Sequence, residues 1–181
     1  MQISSRADRR RVRRLVLDAM LLSLAMIFSF VEHLLPLPLP GVKLGLANVV
    51  VAALFYLLSP VDALVVSLVR ICLSALLFGS PVSFYFSLCG GALALLVLFV
   101  CRPLYDRIFS FVGVSVLSAT GHHLGQIFAA ATLYGTAVVL TYLPWLLLSG
   151  ILTGTLTGIL LNVIGPRFEK LCKGALKCQK E

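Results

Sequence analysis

The chain has 181 residues, 60% hydrophobic and 12% charged, with a mean hydropathy of +1.04, whereas soluble domains run at about 45–50% apolar and about 25% charged. The balance excludes an ordinary soluble domain and points to an integral membrane protein; at ~20 apolar residues per crossing, the length holds about five or six spans and no soluble catalytic domain. The formal net charge is +8, but the basic residues are confined to a few segments, which is a signature of membrane topology, and no nucleic-acid partner is expected.

Six arginines lie between positions 6 and 14. The apolar run that follows, 15–35, is longer than the ~7–15 residues of a signal-peptide core and leads into Pro36-Leu37-Pro38-Leu39-Pro40, so it is predicted as a retained first helix. Further apolar segments cover 44–58, 61–78, 84–101, 111–140 and 143–164. They are separated by Ser59-Pro60, Gly79-Ser80-Pro81, Arg102-Pro103 and Leu143-Pro144. The expected fold is all-α, an integral membrane bundle of six transmembrane helices. One domain, 15–165, lies between a basic N-terminal arm, 1–14, and a basic tail, 166–181. With the N-terminus inside, 13 of the 15 basic residues fall on the cytoplasmic side. Basic loops stay cytoplasmic, so both termini are expected there, in a multi-pass protein of the cell (inner, cytoplasmic) membrane.

Five cysteines, Cys72, Cys89, Cys101, Cys172 and Cys178, are an odd number without C-x-x-C spacing, which argues against a disulfide framework or a zinc ribbon. In lipid, helices approach closely where small residues line up. Gly121, Gly125 and Ala129 lie four apart on the fifth predicted helix, and Gly150, Gly154 and Gly158 on the sixth. Both stripes suit packing within the bundle or against a partner subunit, as does a shorter stripe, Ala19-x-x-x-Ser23.

Ionisable groups in apolar runs are costly, so each needs an account. Asp18 follows Arg14 by four residues, the spacing of a helical ion pair. Ser59-Pro60-Val61-Asp62 has the pattern of a capped helix start, with Asp62 satisfying backbone donors. Arg70 sits mid-run and needs an anionic partner: Glu32, or a bound carboxylate or phosphate, to which an arginine fork is matched. Glu32 and His33 end the first helix, ahead of a loop that carries Gly41, Lys43, Gly45 and Asn48 and can fold as a cap over an external cavity. On the fifth helix, His122 and Gln126 share a face with His123 a step away, suited to a hydrogen-bonded ligand or to interhelical bonding. No H-x-x-x-H or Cys/His spacing supports a metal or haem, and no metal or cofactor is expected. No Ser-His-Asp order, H-E-x-x-H or phosphate loop occurs, so the chain is not expected to be an enzyme.

The stretches Gly41-Val-Lys-Leu-Gly-Leu-Ala-Asn48, Leu68-Val-Arg70 through Phe78-Gly79, Ser87-Leu-Cys-Gly-Gly91, Gly113-Val-Ser115 with His122-His-Leu-Gly-Gln126, and Tyr142-Leu-Pro144 with Gly150 to Gly158 resemble the heptaprenyl diphosphate synthase component I family, also called the Gx transporter family. That family in turn resembles the substrate-binding S components of energy-coupling factor (ECF) vitamin transporters. The resemblance implies six helices and a ligand near the outer face, under the loops joining helices one to two, three to four and five to six. It also implies that Ala19 and Ser23 dock on a membrane-embedded coupling subunit bearing ATPases. Making a prenyl diphosphate needs clustered aspartates to hold magnesium, and nothing like D-D-x-x-D is present. The expected function is capture of a small vitamin- or precursor-like solute for uptake, through Glu32, His33, Lys43, Asn48, Arg70, His122, His123 and Gln126. The rival is a non-catalytic membrane subunit that scaffolds a prenyl-diphosphate or quinone-linked complex. An orphan flavin- or vitamin-binding protein shares the first reading's pocket and differs only in partners.

Overall fold

The structure is a computed structural model and describes residues 6–35, 43–104 and 110–177. The described residues form six α-helices: α1 (Arg6–Leu34), α2 (Asn48–Leu57), α3 (Pro60–Leu77), α4 (Pro81–Cys101), α5 (Phe111–Tyr134) and α6 (Thr136–Lys177), with a 3-10 turn at Arg102–Leu104. The proline-rich segment 36–42, residues 105–109 and the end of the tail, 178–181, lie outside the described residues.

Local chemistry sets the helix starts. Ser59 and Ser80 take extended backbone conformations, and their hydroxyls accept from the amides of Val61 and Ser83; each is followed by proline at the first helical position, where a missing N–H costs nothing. The Ser80 cap moves the start of α4 back to Pro81 from the expected 84. Ser110 caps α5 in the same way by accepting from Gly113 N. Two boundaries correct the sequence expectation more substantially. The arginine arm continues α1 down to Arg6, because arginine is a good helix former and nothing there breaks the helix. The reversal between α5 and α6 falls at Gly135, whose φ of +85° suits glycine alone, and not at Pro144, which sits inside α6. A lone proline removes one hydrogen bond and is tolerated in membrane helices, whereas a left-handed residue ends one.

Four helices are long and apolar enough to cross a membrane, over Arg11–Leu34, Pro60–Leu77, Pro81–Cys101 and Leu143–Val163. The surface is that of a protein solvated by lipid. Leu15, Leu76, Leu77, Trp145, Leu152 and Phe128 are each more than 60% exposed, while Ser29, Glu32, Arg70, His123 and Gln126 are at most 3% exposed. Apolar groups outside and polar ones inside is the arrangement a bilayer favours. α2 has 10 residues, about 15 Å of helix against a hydrocarbon core of about 30 Å.

α5 packs between α4 and α6, and α1 lies against α3 and α2. The glycine stripes make the first arrangement possible, and they act within the chain. A Cβ at Gly121 would meet Val97, and one at Gly125 would run into the backbone of Cys89; at Gly154 it would lie 2.6 Å from the Cα of Val116, and at Gly158 it would collide with that of Val112. One apolar core cluster joins Ala25, Val50, Leu54, Phe55, Val66 and Leu98 across α1 to α4, and a second joins Phe86, Ala129, Ala130 and Leu146. Cys72, Cys89 and Cys101 are free thiols.

Candidate functional site

Two charged features separate at this level. Near the start of α1, Arg14 does not pair with Asp18 as its spacing suggests. Its Nη2 lies 2.7 Å from Asp62 Oδ2 and its Nε donates to the same oxygen at 2.8 Å. An arginine placed N-terminal to an aspartate is the weaker order for a helical pair, and the first turn of α3 offers Asp62 across the interface. Asp62 is thereby Arg14's partner, a correction to its expected capping role, and Asp18 Oδ1 has no hydrogen-bond partner.

The second feature lies toward the other end of α1. Ala25, Ser29 and Glu32 recur at helical spacing and are 0%, 0% and 3% exposed, so they form the inward stripe of an otherwise apolar-faced helix. On α3 the same spacing buries Ser67, Arg70 and Ser74. Arg70 Nη1 donates to Ser29 Oγ at 3.3 Å. No ion pair joins Arg70 to Glu32. Instead Glu32 Oε1 accepts from the backbone N–H of Leu46, and Glu32 Oε2 is unpartnered. The carboxylate thus tethers the segment 43–47, which leads into α2. That segment turns at Gly45 (φ +86°) and places Lys43 inside, 7% exposed. Burial, then the positive charge of Arg70, pushes the Lys43 ammonium down to about 8, with Glu32 opposing the shift.

From the other side His122 closes the cluster. A Cβ at Gly45 would lie 3.3 Å from His122 Cδ2 and 3.4 Å from Asn48 Nδ2, and a Cβ at Gly90 would lie 2.7 Å from His122 Cε1. The imidazole therefore fits between the loop and α4 only because both neighbours are glycine. Its Nε2 is 3.0 Å from Gln126 Nε2, a hydrogen bond whose direction depends on the tautomer.

Glu32, Lys43, Asn48, Arg70, His122 and Gln126 are thus brought together from α1, the 43–47 segment and α2, α3 and α5. Two predicted residues stand apart from them. His123 turns toward α6, with Nε2 3.4 Å from Ser149 Oγ and its ring against Gly150. His33 is exposed and lies beside the ring of Phe78. Ala19 and Ser23 are exposed on α1, the serine hydroxyl donating to the Ala19 carbonyl at 2.9 Å. Sequence reasoning missed Ser29 and Ser67; each lies three residues before a charged residue on the same helical face, a spacing that was available to read.

The cluster leaves much hydrogen-bonding capacity unused. Among the described residues, Glu32 Oε2, Asn48 Nδ2, Ser67 Oγ, Arg70 Nε and Nη2, His122 Nδ1 and Gln126 Oε1 are buried without hydrogen-bond partners, although buried polar atoms are nearly always paired. Among the described residues no group of three or more His, Cys, Asp or Glu is placed to share a metal ion. A groove of about 400 Å³ elsewhere is lined by Cys89, Ala92, Leu93, Leu96, Gly125 and Phe128. It is apolar and lies outside the cluster.

Residues 21–164 match the family described as heptaprenyl diphosphate synthase component I. No curated protein and no solved structure matches the chain. The family match runs from within α1 to within α6 and includes every residue of the polar cluster, and the chain belongs to the heptaprenyl diphosphate synthase component I family.

Proposed function

We propose that the chain is a membrane-embedded, solute-binding subunit that holds a small polar molecule in the cluster between α1, α2, α3 and α5 and works with a partner subunit. The observation that carries this reading is the set of buried, unpartnered polar atoms converging from four elements. Leaving each one unpaired costs about 1–3 kcal/mol, a cost that a ligand filling the site removes. The bundle sits in the cell membrane with both termini cytoplasmic, the side to which 13 of 15 basic residues are assigned. The 43–47 segment then lies toward the outer face, the side from which an S-component-like protein would take its ligand. Ala19 and Ser23 offer a small, exposed face on α1 for an energy-coupling subunit with ATPases.

The family description names one component of a synthase, which favours a partner subunit and supports a second reading, a non-catalytic subunit that scaffolds a prenyl-diphosphate or quinone-linked complex. The pairs His122–Gln126 and His123–Ser149 suit that reading, because a scaffold needs its interior polar groups bonded to one another. Native mass spectrometry of the gently purified protein decides between the two. Solute capture predicts a retained small molecule in the wild type that is lost in Asn48→Leu and Gln126→Leu; a wild type carrying only another protein favours the scaffold.

A further inference from the structure

We infer that the molecule held in this cluster is an anion bearing a carboxylate or phosphate group, gripped by the free edge of Arg70 with Lys43 as its second positive contact. The inference rests on the solute-binding reading and adds the chemical class of the ligand. Arg70 is 2% exposed, and among the described residues its only hydrogen bond is from Nη1 to the neutral hydroxyl of Ser29. Nε and Nη2 form one edge of the guanidinium plane, and both are unpartnered. Two parallel N–H donors on one edge match the two oxygens of a carboxylate or phosphate, a pairing that a neutral amide or hydroxyl fills only in part.

The charges around that edge point the same way. Arg70 from α3 and Lys43 from the loop face Glu32 from α1, with the imidazole of His122 closing the side of α5. Two cations and one carboxylate leave an excess positive charge in a buried place, where an uncompensated charge is expensive. Glu32 does not form an ion pair with Arg70: one of its oxygens holds Leu46 N and the other is unpartnered among the described residues. A bound anion supplies the missing charge and both acceptors at once.

Two sources share this chemistry, a water-soluble anion and the headgroup of an anionic amphiphile, and the test separates them. The wild-type protein is placed in nanodiscs of phosphatidylcholine alone. Native mass spectrometry identifies any retained molecule, and thermal unfolding is followed with added inorganic phosphate, inorganic diphosphate, acetate or a short prenyl diphosphate, with chloride as the control. The same measurements are made on Arg70→Gln, Arg70→Lys and Lys43→Gln.

The expected result is stabilisation by at least one oxyanion probe, or a retained oxyanion. Apparent affinity falls by about 100-fold in R70Q, where two charge-assisted bonds are lost. It falls by about 10-fold in R70K and K43Q, which keep one of the two features. Binding of inorganic probes marks a soluble source, and binding of the prenyl diphosphate alone marks a headgroup. Should R70Q fail to fold, R70K and K43Q carry the test. A retained neutral or cationic molecule, or an anion whose affinity is unchanged in R70K and K43Q, overturns the anion class and leaves solute binding standing. A wild type that retains nothing and responds to no probe overturns both.

Discussion

The α5–α6 seam allows a stability argument whose size follows from geometry. Gly150, Gly154 and Gly158 face His123, Val116 and Val112, and alanine at each brings two opposed effects. Replacing a helical glycine by alanine gains about 0.8–1 kcal/mol of helix propensity. At Gly154 the new Cβ would sit 2.6 Å from the Cα of Val116, where ordinary contact begins near 3.4 Å, so the helices must part by about 0.8 Å, enough to forfeit a quarter to a half of each contact's dispersion well along the seam. Overpacking of this kind costs about 1–3 kcal/mol. The net expectation for Gly154→Ala is a loss of about 0–2 kcal/mol, and for the Gly154→Ala/Gly158→Ala double variant about 1–4 kcal/mol, since both clash with backbone that cannot turn aside. At Gly150 the obstacle is the edge of the His123 ring, which can rotate away, so Gly150→Ala is expected to be nearly neutral in stability while displacing His123 from Ser149. The assay is reversible unfolding in mixed micelles by added dodecyl sulfate, followed by circular dichroism and by the single tryptophan, Trp145, on α6. A double variant as stable as the wild type, or a Gly150→Ala variant that loses more than the double one, refutes the reasoning.

Raising the pH through about 8 should weaken anion binding, because Lys43 sits near 8 in the folded chain against 10.5 when free. Between those values the unfolded chain holds a proton the folded one has released, so the unliganded protein gains stability as pH rises through that window and carries a constant penalty below it. Phosphate or diphosphate titrations at pH values either side of 8 check this, and an affinity that stays level in the wild type sinks the prediction. Asp62→Asn removes an ion pair whose arginine side chain is 49% exposed, and exposed pairs contribute about 0–1 kcal/mol. A loss above about 2 kcal/mol in the micelle assay would show that the pair carries more than such a pair does. Gly45→Ala introduces a side chain at φ +86° and 3.3 Å from His122, which should cost about 1–2 kcal/mol and weaken ligand retention together with stability; unchanged retention would separate the loop from the site.

The helices were legible because apolar runs and serine-proline pairs mark them directly, and Ser59-Pro60 and Ser80-Pro81 begin helices for the reason their chemistry gives. What was not legible depended on contacts beyond the local chain. Hydropathy stops at Leu15 while the helix continues to Arg6, since arginine changes polarity without breaking a helix. Leu143-Pro144 was the expected boundary, yet the deciding quantity was a left-handed dihedral at Gly135 that composition does not reveal. Arg70, Glu32 and Lys43 could be singled out because a charge within or beside an apolar run stands out. Ser29 and Ser67 were legible only through their three-residue spacing from Glu32 and Arg70, since serine by itself is unremarkable in a membrane helix. That Glu32 would hold a backbone amide and leave Arg70 with an open edge is a tertiary fact, fixed by where the loop returns.

Glu32 accepts from Leu35 N through its backbone carbonyl and from Leu46 N through its side chain, so a single residue clasps both stems of the connection between α1 and α2. The end of α1 and the lead-in to α2 are thereby fastened to one residue, and the register in which Lys43 and Gly45 meet the bundle follows from where Glu32 stands. Glu32 works as a rivet: a change that frees its carboxylate is expected to shift the buried cation and the start of α2 together.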